Sequence, residues 1–139
     1  GNFASIIGKL DFVRNKLTKL QIEFVNNMTK DKGGCILDGR DIGTKIIPNA
    51  EFKFFVDAPL KIRAKRRYQQ LYSCDKSVKF KNIIRDLEKR DFSDKSRENS
   101  PLILAKDSIL LNTEFLNPHQ VLKKALNYIK KNDNIKKNQ

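Results

Sequence analysis

The chain has 139 residues, 29 Lys and Arg against 16 Asp and Glu, and a formal charge of +13. That length fits one domain, and 39% hydrophobic content is enough for a modest core, which argues against global disorder despite 32% charged residues. No stretch reaches the roughly 18 to 20 apolar residues of a membrane span, and the first residues lack a charged-then-apolar leader pattern, so membrane insertion and secretion are disfavoured.

Cys35 and Cys74 stand far apart, without CxxC or Cys/His ligand spacing. Neither a disulfide framework nor a structural zinc site is expected, both thiols read as packing residues, and a reducing cytoplasm is the expected compartment. The charge alone leaves three partners open: nucleic acid, an anionic membrane surface, or phosphorylated small molecules. Of the basic residues 21 are Lys and 8 are Arg, in a chain also rich in Asn and Ile. Such a bias follows from AT-rich coding without selection for function. Arg, whose planar fork binds phosphate bidentately, is therefore the more informative base.

In chain order, Leu10, Val13, Leu17, Leu20, Phe24 and Met28 recur at helical spacing, with Asp11 as a cap and Lys30-Asp31-Lys32-Gly33-Gly34 as the stop. Cys35-Ile36-Leu37 reads as a short buried strand that ends in the polar loop Asp38-Gly39-Arg40-Asp41-Ile42-Gly43. Residues 52–56 form a second strand, closed by Asp57-Ala58-Pro59, and residues 60–71 return to helical spacing. The pattern breaks over residues 72–77. A short amphipathic helix follows through Val78, Ile83, Ile84 and Leu87, leading into the very polar residues 90–97. Residues 108–112 give a third strand. The last helix has Asn117 as N-cap and Pro118 at its first position, and the Lys/Asn-rich residues 130–139 are expected to fray.

Strands alternating with helices predict a parallel α/β sheet, whose ligand crevice lies beyond the carboxyl ends of the strands. The charged residues 73–100 are expected to form a lid. Seven of the arginines fall in four blocks: Arg14; Arg40; Arg63, Arg66 and Arg67; Arg90 and Arg97. On a helix, Arg90, Asp94 and Arg97 share one face, which would make an anion clamp suited to neutralising charge in phosphoryl transfer. On spacing alone, Arg63, Arg66 and Arg67 fit a solvated face with intrahelical ion pairs better than a ligand site. Two acids, an Arg and two glycines after a strand point to function rather than packing, and His119 reads as a solvated first-turn residue. Gly8-Lys9-Leu10 is not a Walker A loop, because the preceding glycine is too distant and Leu10 offers no hydroxyl to Mg²⁺.

These blocks resemble bacterial cytidylate kinases, P-loop enzymes that phosphorylate CMP and dCMP with Mg-ATP. The resemblance rests on Asp38-Gly39-Arg40-Asp41-Ile42-Gly43-Thr44 with Ile47-Pro48-Asn49-Ala50-Glu51. It continues through Phe55-Val56-Asp57-Ala58, Arg63-Ala64-Lys65-Arg66-Arg67-Tyr68, Arg90-Asp91-Phe92-Ser93-Asp94-Lys95-Ser96-Arg97, Pro101-Leu102 and Ala105-Lys106-Asp107. It implies a P-loop NTPase-type parallel sheet with flanking helices and a helical lid at about residues 73–100. It further implies that Ser5, Arg14 and Asp94 read the cytosine ring. Arg40, Arg90 and Arg97 would hold the CMP phosphate and the transferring phosphoryl group, Asp41 would orient Arg40, and Arg63 and Arg67 would meet the ATP phosphates.

Members of this family carry a Gly-rich loop upstream of these blocks, and the present sequence enters the pattern after it. The expectation is therefore the C-terminal portion of a nucleoside monophosphate kinase domain over residues 1–139, with Mg²⁺ and ATP bound mainly by the preceding segment. Such a portion is expected to be inactive by itself and monomeric when complete. The alternative is a basic nucleic-acid-binding module, but the chain lacks an aromatic stacking pattern, a helix-turn-helix signature or a single arginine stripe.

Overall fold

The computed structural model describes residues 10–137, which divide into two compact units between Asn49 and Ala50. The first unit opens with helix α1, Asp11–Lys32. Leu10 occupies the N-cap in an extended conformation, and no side chain caps the helix. Asp11 is thus the first helical residue and contributes a negative charge at the positive end of the helix dipole rather than the expected cap. At the other end Lys30 and Lys32 face the negative pole, and Gly33 terminates the helix in the left-handed region at φ 76°, which glycine adopts without a Cβ penalty. The amides of Gly33 and Gly34 both return to the Met28 carbonyl.

The apolar face of α1 follows the predicted spacing, yet Leu17, Leu20 and Phe24 remain about half exposed. They line an open groove with Gln21, Ile36, Leu37 and Asp38. Cys35-Ile36-Leu37 is not the buried strand its composition predicts: it is irregular, and Ile36 is 99% exposed. A strand exists only as part of a ladder, and no described segment pairs with this one. The polar loop beyond it closes in a π-helical turn, Ile42–Ile46. There the Asp41 carbonyl accepts from the amides of Lys45 at 2.9 Å and Ile46 at 3.2 Å.

In the second unit, strand β1 (Phe54–Asp57) lies parallel to β2 (Ile109–Asn112), with Phe54 opposite Ile109 and Asp57 opposite Asn112. Parallel neighbours need a long crossover, supplied by helices α2 (Leu60–Tyr72) and α3 (Phe80–Ser96). Helix α3 continues through the polar residues 90–96, longer than the short helix expected. The break before it is chemical: the Ser73 hydroxyl donates to the Gln70 carbonyl, and the Asp75 carboxylate accepts from the Ser77 amide. Helix α4, Pro118–Lys137, begins with a reciprocal cap. The Gln120 amide donates to Asn117 Oδ1 and the Asn117 amide to Gln120 Oε1, each at 2.9 Å. The helix runs on to Lys137, so the expected fraying does not begin at Lys130.

Buried apolar side chains in this unit are small or few: Ala58, Ala64, Ile83 and Leu111. Ala64 of α2 is completely enclosed, α2 packs on α3, and Phe54 meets Tyr128 of α4 edge-on at 6.0 Å. Tyr68 of α2 stacks on Tyr72 and meets Phe80 of α3 edge-on. Val56 and Leu110 stay largely exposed. Both cysteines are exposed, which overturns their expected packing role, and His119 is exposed as expected.

The amino ends of the strands are tied by a polar contact. Lys53, 8% exposed, places its ammonium 2.6 Å from the Asp107 carboxylate, which is itself 65% exposed. The hydrogen bond from Lys53 holds the Asp107 carboxyl below the usual carboxylate range. Its stabilisation is therefore present above the ordinary carboxylate pKa and is lost as pH falls through the lowered folded value. Asp107→Asn is expected to lower Tm at pH 7, with the gap to the unsubstituted chain closing in acid, as thermal melts across pH would record. Ala64→Leu, which forces extra methylenes into a fully enclosed position, should cost about 1–3 kcal/mol by denaturant titration.

Candidate functional site: the arginine–carboxylate pairs

In the first unit, α1 carries Arg14 and the π-helical turn begins just after Asp41. Arg14 Nη1 donates to Asp41 Oδ2 at 3.3 Å, with both side chains mostly enclosed. No local pattern announces this pair, since its members stand 27 positions apart. Asp41 thus holds Arg14, alongside its expected relation to the adjacent Arg40, which is exposed. Gly39 is required beside them: a Cβ there would stand 2.7 Å from Ile42 Cγ1. Ser5 lies outside the described residues.

In the second unit, the carboxyl ends of β1 and β2 are each gripped by a guanidinium from α2. Arg63 Nε donates to the carbonyl of Ala58 at 2.8 Å, just past β1. Its two terminal nitrogens donate to both oxygens of Asp91 on α3, at 3.0 and 2.6 Å. This fork-to-fork hydrogen bonding outweighs partial burial and raises the Arg63 pKa, so the guanidinium stays charged. Arg66 donates to the hydroxyl and the carbonyl of Thr113, at 3.1 and 2.5 Å, and to the carbonyl of Leu116, pinning the loop after β2. The expected intrahelical ion pairs are thus replaced by contacts that leave the helix. Arg67 alone among the three stays local, donating to Gln70 at 2.8 Å.

Further along α3, Asp94 sits between two arginines, as its spacing predicts. Arg90 Nε lies 3.9 Å and Arg97 Nη1 3.6 Å from its carboxylate, and Asp94 is the most enclosed of the three. Arg90 is largely exposed. Arg97 stands at the C-cap in an extended conformation and also donates through Nε to the Ser100 carbonyl. The Asp94 carbonyl accepts the Leu102 amide at 2.7 Å, so the chain leaving the helix folds back over this cluster. Asp91, Thr113 and Ser100 were missed by sequence reasoning. The only signal for Asp91 is its place inside the Arg90-Asp91-Phe92 block, and Thr113 and Ser100 carry none.

A carboxylate between two guanidiniums can accept a hydrogen bond from a neutral amino group while the guanidiniums meet an anion. Among the described residues no cluster of three His, Cys, Asp or Glu side chains could hold a metal ion. Asp41, Asp91, Asp94 and Asp107 are instead each engaged by a basic side chain. The described residues therefore do not form a Mg²⁺ site. No helix among them is long and apolar enough to cross a membrane.

The cytidylate kinase family model matches residues 1–131 of this chain. A cytidylate kinase of Rhodospirillum rubrum is 39% identical over 129 residues, which are 93% of this chain and 61% of that protein. Cytidylate kinase 1 of Haemophilus influenzae is 41% identical over 92% of this chain and 53% of its own length. A cytidylate kinase of Rickettsia felis is 41% identical over 94% of this chain and 58% of its own length. The chain thus spans between about half and three-fifths of these curated relatives. With its parallel strands joined through helices, the match to the family model over nearly its whole length means that this chain belongs to the cytidylate kinase family and its α/β, P-loop NTPase fold class.

Proposed function

We propose that this chain supplies the acceptor side of an ATP-dependent phosphorylation of CMP or dCMP, which yields CDP or dCDP and ADP. The observation that carries the reading is Asp94 held between Arg90 and Arg97 on one helix, within a chain matched to the cytidylate kinase family over residues 1–131. In this reading the Asp94 carboxylate accepts a hydrogen bond from the exocyclic amino group of cytosine, a donor that uracil lacks, and Arg14 and Ser5 complete recognition of the ring. Arg40, Arg90 and Arg97 bind the CMP phosphate and then the transferring phosphoryl group. Asp41 positions the arginines beside it.

Phosphoryl transfer asks a protein for positioning and charge neutralisation more than for a strong base, which suits a cluster of guanidiniums. On the ATP side the reading relies on Arg67. Arg63, whose fork is occupied by Asp91, would first have to exchange partners to reach a phosphate. Residues 73–100 would act as the lid. Mg²⁺ accompanies ATP, and the complete enzyme works as a monomer in the cytoplasm, where exposed free thiols such as Cys35 and Cys74 persist. The polynucleotide alternative is weakened by the engagement of Arg14, Arg63, Arg90 and Arg97 with aspartates rather than in an open stripe.

Calorimetric titration of the chain with CMP and UMP tests this directly: binding of CMP in preference to UMP is expected, and equal or absent binding of both would refute it. Asp94→Ala should erase about 1.5–3 kcal/mol of that preference, the range for a hydrogen bond to a charged group. Arg97→Lys retains charge but loses the planar fork, so affinity for CMP should fall while affinity for cytidine, which has no phosphate, stays the same.

A further inference from the structure

Ser100 is the one non-glycine residue at positive φ among the described residues, at 58°, and it is 7% exposed. The left-handed region costs an L-residue roughly 1–2 kcal/mol, and serine has no special tolerance for it. Its buried hydroxyl has no hydrogen-bond partner among the described residues, which adds to the cost. Two unfavourable features at one enclosed residue call for a compensating gain, and the gain lies in the backbone. Pro101 disfavours the right-handed helical region for the residue before it, so a compact reversal here must take the left-handed one. That reversal turns the Ser100 carbonyl onto Arg97 Nε and carries the Leu102 amide to the Asp94 carbonyl.

We propose that Ser100 is a positioning residue for the acceptor site. Its left-handed backbone holds the Arg97 guanidinium by one edge, leaving Nη1 turned to Asp94 and the fork oriented before any ligand arrives. The proposal rests on the reading of Asp94 and Arg97 as CMP-binding residues, and it assigns the role to the carbonyl and φ of Ser100 rather than to its hydroxyl. Without this hold, Arg97 at the helix end would lose orientation each time it released a ligand.

Three substitutions separate these contributions. Ser100→Gly admits positive φ freely, Ser100→Ala removes only the hydroxyl, and the β-branched Ser100→Val resists positive φ. Each variant is first checked for fold by circular dichroism and then titrated with CMP. Gly and Ala should bind within about twofold of the unsubstituted chain, and Val should bind about tenfold more weakly, in line with the cost of left-handed backbone. In an Arg97→Ala background Val should add no further loss. An equal loss in Ala would transfer the role to the hydroxyl, and an equal loss in Gly or an additive loss beside Arg97→Ala would overturn the proposal.

Nitrogen-15 NMR of the Arg97 Nε–H group keeps the test independent of ligand. Slow exchange of this proton is expected in the unsubstituted, Gly and Ala chains and fast exchange in Val. Unchanged exchange in Val would refute the positioning role. Absence of CMP binding by the unsubstituted chain would instead refute the functional reading, leaving the NMR result to decide on Ser100.

Discussion

The second unit depends on the Arg63 guanidinium. One of its edges takes the carbonyl just beyond β1, and its fork takes both carboxylate oxygens of Asp91, so a strand end and two helices meet at one planar group. The apolar interior is too small to set these angles alone. A small enclosed side chain such as Ala64 does not specify rotation, whereas a bidentate fork accepts its partner in one plane. As a partly exposed ion pair it supplies orientation more than stability. Arg66 does the same for the other strand by holding the loop after β2.

With α3 fixed by Asp91, the residues that follow it on the same helix acquire defined places. Asp94 lies one turn further on and Arg97 one turn beyond that, and the chain then reverses through Ser100 and closes over them. The bracing arginines thus stand on α2, and the Arg90–Asp94–Arg97 cluster stands on α3 and at its end. The bracing arginine meets its carboxylate face to face at hydrogen-bonding distance. Arg90 and Arg97 stand 3.9 and 3.6 Å from Asp94, close enough for attraction but looser than the Arg63 fork.

The +13 charge takes on a different meaning in this light. Such a surplus can mark a nucleic-acid surface, but here four of the eight arginines pair with aspartates, and Arg66 is committed to the loop after β2. The excess lies in the lysines, which raise solubility and pI without defining a site. Lys53 is the exception, enclosed and bound to Asp107 where the strands begin.

Much of the fold was legible in the sequence where the deciding forces act within a few positions. Gly33 ended α1, Asn117 and Pro118 opened α4, and the apolar runs gave β1 and β2 to within one or two residues. The same short range made Arg90, Asp94 and Arg97 legible as one helical face. Other features were decided only by tertiary structure. Cys35-Ile36-Leu37 has strand composition, but a strand needs a neighbour, and periodicity cannot supply one. Arg14 found Asp41 and Arg63 found Asp91 across 27 and 28 positions, distances over which spacing carries no information. The sequence by itself determined the helices, their ends and the residue types available for anion chemistry. Which arginines brace the fold was decided by chain return, because a guanidinium is committed only when folding brings an acceptor within reach of its fork.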